Sequence, residues 1–138
     1  MLFRSYSTPE RRLIPEAIEQ RARYFEWMSF ISMELDATSL YVLRRHEGLP
    51  EIYGPAPEAC EAARAYFERM ITAATVRLDD GRRYLLGEEF YGVDILMTTV
   101  LDWAVKYGFT LPGAFTAYRT RIDDEPSTAL ALRANTPP

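Results

Sequence analysis

Four side chains at helical spacing, Ser29, Ser32, Met33 and Asp36, make a small or polar strip in the middle of an aromatic helix. At i, i+3, i+4 and i+7 they share one helix face, where two hydroxyls, a thioether and a carboxylate could line a cleft. The usual nucleophiles are poorly supported. Cys60, the only cysteine, sits among alanines with no histidine near it in sequence, which makes it a small buried hydrophobe. His46, the only histidine, follows Arg44 and Arg45 where a helix should end, and cations suit a negative helix terminus. One His with one Cys cannot form a structural zinc site, so no metal is implied. Asp94 is a different kind of carboxylate. If Tyr91 is an N-cap, Asp94 falls at N3, where it accepts from the Tyr91 backbone N–H, and Phe90 and Ile95 fall at the two positions of a hydrophobic staple. This is folding chemistry, with one part missing: a Tyr hydroxyl is too far from its own backbone to bond the N3 amide, a loss of about 1 kcal/mol.

The elements that must position these residues read as helices. Pro15 to about Glu47 is one long helix with Pro15 in its first turn, stopped by Gly48 and Pro50. Ile18, Phe25, Met28, Leu35 and Val42 repeat at helical spacing and are expected to face a core. Pro55-Ala56-Pro57 opens a second helix to about Leu78, with Ala59, Ala63, Tyr66, Met70 and Ala74 on one face. Tyr84-Leu85-Leu86 reads as a short extended approach to the third helix, Gly92 to Tyr107, which is apolar on nearly every side and therefore central. Gly108 ends it, Pro112 begins a fourth with Leu111, Phe115, Tyr118 and Ile122 in register, and a short fifth starts near Pro126. No strand pairs, repeats or low-complexity segments interrupt this pattern. The expected class is all-α, five helices bundled around a buried third.

At 138 residues, with a net charge of −4 and hydrophobic residues at 48%, the chain can bury a core without disulfides. The basic residues are dispersed, which argues against nucleic acid. No apolar run approaches the roughly 20 residues needed to span a bilayer, and 1–12 lacks a signal peptide's apolar core. The expectation is a cytoplasmic protein with no membrane partner.

Taken together, several segments resemble the C-terminal domain of glutathione S-transferases. Glu26 to Leu35 resembles the family's first C-terminal helix, Tyr84-Leu85-Leu86-Gly87 with Phe90, Val93, Asp94 and Ile95 its capping-box segment, and Ala117 to Ile122 followed by Pro126 the end of its fold. Leu40 to His46 is similar to a sequence of bacterial members. The likeness covers roughly residues 13 to 133. It implies a helical domain over 13–138, with 1–12 a tail that resembles the remnant of an interdomain linker. Complete enzymes of the family carry a thioredoxin-like domain that binds glutathione and activates its thiol. The resemblance therefore implies a C-terminal domain that forms the hydrophobic electrophile pocket and a homodimer interface but does not catalyse conjugation alone. Glutathione is its implied cosubstrate only in the complete enzyme.

Carried over by position, the residues implied to line the cleft are Ser29, Met33, Asp36 and Ala37. Bacterial relatives have His-Lys where this chain has Asp36-Ala37, so a cation pair suited to a glutathione carboxylate has become an anion and a methyl. Tyr41, Trp103 and Tyr107 are implied as pocket walls, since they lie near the ends of helices that flank the pocket in the family. Two rival readings stay open: a non-catalytic protein interaction module of the same fold, and a generic helical ligand-binding bundle.

Overall fold

The computed structural model describes residues 13–78 and 80–135. Helix α1 begins at Ile18 and remains helical to Gly48, with α-helical Ile18–Phe30, a π-helical stretch Ile31–Leu40, an α turn Tyr41–Leu43 and a second π stretch Arg44–Gly48. Then follow α2 (Pro50–Tyr53), α3 (Pro57–Thr75) with a 3₁₀ turn Val76–Leu78, α4 (Gly92–Lys106), α5 (Gly113–Asp123) and α6 (Pro126–Asn135). Among the described residues there is no strand, so the class is all-α. The expected tail, 1–12, lies outside the described residues.

α1 starts three residues later than its proline suggested. Pro15 is buried, and its carbonyl accepts from the Arg21 side chain at 3.0 Å. Of the expected stripe, Leu35 is buried and Met28 and Val42 pack partly buried against the core, but Ile18 and Phe25 do not. Ile18 is 84% exposed and Phe25 39%, while Tyr24, Trp27, Ile31 and Leu35 are buried. The apolar residues of α1 occupy two faces, and the larger aromatic set wins the interior. Beyond Leu35 the stripe continues at Leu40, five residues on, and at Leu43. An α-helix would carry Leu40 past the core, and the π stretch brings it back, because i→i+5 bonding winds more slowly. Thr38 and Ser39 reinforce that wider turn by donating to the carbonyls of Met33 (2.7 Å) and Glu34 (3.0 Å), each five residues back.

On α3 the buried face is Cys60, Ala63, Phe67, Ile71 and Ala74. Ala59, expected inside, is exposed, and Tyr66 and Met70 are half-buried. Ala63 and Ala74 are buried as expected, but Cys60, Phe67 and Ile71 take the interior from Ala59, Tyr66 and Met70, the residues just before them, since Phe67 and Ile71 bury purely apolar area. α4 packs against both α1 and α5 and buries Val93, Asp94, Met97, Val100, Leu101 and Ala104. Ile95 and Val105 are left 37% and 43% exposed.

The approach to α4 is a tight turn, where an extended segment was expected. Tyr84 N–H donates to the Gly87 carbonyl at 2.8 Å and Gly87 N–H returns the bond at 3.1 Å. Gly87 holds φ +124°, a conformation that L side chains rarely adopt. Closing the turn leaves the Leu85 N–H free to donate to Asp94 Oδ1 at 2.9 Å. Asp94 Oδ2 accepts from the Tyr91 N–H at 2.8 Å, and the Tyr118 hydroxyl of α5 donates to Oδ1 at 2.8 Å. The Tyr91 hydroxyl turns away to Glu89 at 2.5 Å, so the Asp94 N–H is satisfied by the Tyr91 backbone carbonyl at 3.0 Å. Phe90 packs edge-on against Tyr84 with ring centroids 5.5 Å apart. Gly92 completes the junction by donating to the Leu13 carbonyl at 2.8 Å; a Cβ there would stand 2.9 Å from the Tyr24 hydroxyl.

Candidate functional site

Ser29, Met33, Asp36 and Ala37 all stand exposed on α1, with Met33 at 57%. Ile18 and Phe25 precede them at helical spacing, so an outward strip of apolar and small residues runs along α1. The opposite face, Ile31, Leu35 and Ser39, is fully buried. The strip is therefore not packed against another helix of this domain. Partial desolvation by its neighbours pushes the exposed Asp36 carboxyl above its ordinary pKa, and the Arg44 charge opposes that shift. Within the same π stretch, Glu34 accepts a short hydrogen bond from the Tyr66 hydroxyl of α3, which ties the stretch to its neighbour.

The three aromatic candidates do not form one wall. Trp103 and Tyr107 stack at 5.8 Å with planes 24° apart. Arg44 lies 5.4 Å above the Trp103 ring and the Lys106 ammonium 4.9 Å from it. Tyr41 belongs to a separate group, in which Arg45 sits over Tyr41 at 5.9 Å and over Tyr53 at 4.5 Å. The buried Nε of Arg45 has no hydrogen-bond partner. Burial is the main reason the Tyr107 hydroxyl pKa is raised; Arg44 opposes the shift and Glu47 adds to it. That hydroxyl reaches the end of α1, where a Cβ on Gly48 would stand 3.0 Å from it.

The fold matches part of several longer proteins of solved structure. A glutathione transferase from Methylococcus capsulatus superposes with a TM-score of 0.81 at 25% identity, over 96% of this chain and 63% of that one. The fold is that of the glutathione S-transferase C-terminal domain. A sphingomonad glutathione S-transferase complexed with glutathione matches at a TM-score of 0.73 and 25% identity, again over 96% of this chain and 63% of that one. A maleylpyruvate isomerase from Pseudomonas aeruginosa matches at 0.72 with 20% identity, over 94% of this chain and 68% of that one. The sequence matches no protein-family model and no curated protein. The chain thus spans less than two thirds of the length of the first two proteins.

Within this glutathione S-transferase-like domain, a depression of about 370 Å³ lies between the end of α1 and the start of α3, lined by His46, Glu47, Pro55, Cys60, Glu61 and Arg64 among others. It is built from structural groups. His46 Nδ1 is 2.7 Å from the Gly54 carbonyl. Cys60 is buried, and burial, with Glu47 beside it, pushes its thiol pKa up, which keeps it protonated and unreactive. No group of three or more metal-ligating side chains occurs among the described residues.

Arg64 is the residue that composition alone could not single out. It donates to Glu47 at 2.6 Å and to the Tyr107 carbonyl at 2.8 Å, satisfying an orphan acceptor at the C-terminal end of α4 and joining three helices there. Its partners lie 17 and 43 residues away, so no local signal marks it. Replacing Arg64 with Ala is expected to cost about 1.5–3 kcal/mol, the range for a hydrogen bond to a charged group; an unchanged denaturation midpoint would refute this role.

Proposed function

We propose that this chain supplies the electrophile pocket and a homodimer face of a glutathione S-transferase, and conjugates nothing without a glutathione-activating thioredoxin-like domain. The observation that carries this reading is the outward strip of α1: Ile18, Phe25, Ser29 and Met33 leave apolar and small surface uncovered along the first half of the helix. Contiguous exposed apolar surface marks a face that another domain or subunit covers. Ser29, Met33 and Asp36 would border the cleft on that face, with Trp103 and Tyr107 as pocket wall. The strip offers a hydroxyl and a carboxylate but no cation, so tight glutathione binding by the chain alone is not expected. Thiol activation needs a donor placed at the glutathione sulfur, and none of the proposed site residues is given that role. In the cell we place the assembly in the cytoplasm.

Two measurements test the reading. Incubated with glutathione and chlorodinitrobenzene, the purified chain should conjugate no faster than buffer; a clear rate above buffer would overturn the division of labour. In sedimentation experiments the chain should dimerise, and Met33→Glu should weaken the dimer by about tenfold or more, because an unpaired charge is driven into the interface. A chain that stays monomeric at every concentration removes the dimer face from the proposal and favours a non-catalytic interaction module.

A further inference from the structure

We propose that the depression between the end of α1 and the start of α3 binds an organic ammonium ion, a cationic amine on a small apolar body, through Glu61 and His46. None of the residues proposed for the electrophile pocket lines it. Its volume of about 370 Å³ falls within the roughly 300–1,000 Å³ of small-molecule sites, and Pro55, Ala56 and Pro57 give it an apolar wall. The class of ligand follows from the polar groups that the fold leaves over. Each nitrogen of the Arg64 guanidinium already donates within the fold, Nε and Nη2 to Glu47 and Nη1 to the Tyr107 carbonyl. With its charge met by Glu47, Arg64 is a poor receiver of an anion. The Cys60 thiol is likewise committed to Glu47. A carbonyl can only accept, so the 2.7 Å contact with Gly54 makes His46 Nδ1 a donor, and in the neutral ring Nε2 then carries a lone pair. Glu61 makes no ion pair with any described residue. A ligand therefore meets a free carboxylate and an accepting ring nitrogen beside apolar surface. An ammonium group has three donors and no acceptor, and its bonds to a carboxylate are of the stronger, charge-assisted kind. A neutral molecule of the same shape would keep chiefly the apolar contact, and an anion would be repelled by Glu61.

The test is titration of the chain at neutral pH with tryptamine, tryptophol and indole-3-acetate, which share a ring system and carry a positive, a zero and a negative charge. Calorimetry gives the affinities, and the imidazole C–H resonance of His46, the only histidine, shows whether the ligand sits in this depression. Tryptamine should bind about tenfold tighter than tryptophol and shift that resonance, with indole-3-acetate weakest, as expected for one charge-assisted hydrogen bond. Glu61→Gln should remove most of that advantage and leave tryptophol unchanged, whereas Ala56→Leu, which adds bulk to the apolar wall, should weaken both. Glu68→Gln removes the same charge from an exposed site on α3 outside the lining and should change neither. Equal binding of the three ligands, no binding of tryptamine, a His46 resonance that tryptamine leaves unmoved, or an equal loss in Glu68→Gln and Glu61→Gln would overturn the inference. Circular dichroism shows whether each variant folds, and the three ligands on the unaltered chain decide the matter should one unfold. Conjugation and dimerisation are not read in this titration, so its failure stays separate from failure of the functional reading.

Discussion

Asp94→Ala is expected to lower stability by about 3–5 kcal/mol. A side chain that only capped α4 would cost about 1 kcal/mol on removal, but this carboxylate accepts from three donors in three places: the Leu85 amide, the Tyr91 amide and the Tyr118 hydroxyl. Truncation leaves those donors buried and unpaired, at about 1–3 kcal/mol each before relaxation. Asp94→Asn should fall between, since the amide keeps one acceptor oxygen and presents two donors to groups that are themselves donors. Chemical denaturation measures both; a loss for Asp94→Ala no larger than a simple cap would show that the turn and α5 do not depend on it. The pH dependence runs opposite to that of an exposed paired acid. Burial raises the Asp94 pKa despite the three donors, so its contribution to stability is greatest in acid and diminishes as pH rises through the folded-state value. Asp80, held at about 2 chiefly by its hydrogen bonds from Arg82, behaves conversely. Its contribution is present above the ordinary Asp value and is lost as pH falls toward about 2.

Trp27→Ala is expected to cost about 3–5 kcal/mol, the usual range for emptying a large aromatic from a core. Trp27 is 1% exposed, lies edge-on to Phe30 at 5.8 Å and carries Arg77, from the 3₁₀ turn after α3, over its face at 4.1 Å. The substitution thus removes apolar volume and the ring on which that arginine rests. Trp27→Phe should recover more than half of the loss. Far-ultraviolet circular dichroism through a urea transition is the appropriate measurement, and a shift under 1 kcal/mol for Trp27→Ala would mean that the site collapses to fill the space.

The class, the order of the five expected helices and the start of α4 were legible because each is written locally, in proline and glycine punctuation and in the three-residue spacing of Tyr91 and Asp94. Register was less legible. Ile18 and Phe25 are as apolar as residues that do face the core, and nothing in their own neighbourhood says that α1 buries Tyr24 and Trp27 in preference. The short α2 was missed because Gly48 and Pro50 read as a stop, although a proline equally suits a helix's first position. On the outward side of α1, Ser29, Met33 and Asp36 share the face that their spacing predicted, whereas Ile18 and Phe25 were expected inside and Arg44 was read only as a cation at a helix end. Arg44 meets Trp103, and Arg64 meets Glu47 and Tyr107, only through the crossing of α1 with α3 and α4.

The π stretch Ile31–Leu40 has a geometric consequence of its own. An α-helix advances about 100° of rotation per residue, and this stretch withholds part of that rotation over ten residues. The bearing of Arg44 relative to Phe25 and Ser29 is therefore fixed by how many residues the slow segment contains. One residue fewer there would swing the arginine end around the axis while the first half of the helix stayed seated. The angle between the outward strip of α1 and its arginine end is set by residue count, and length changes in this segment would re-aim one surface against the other without altering a side chain on either.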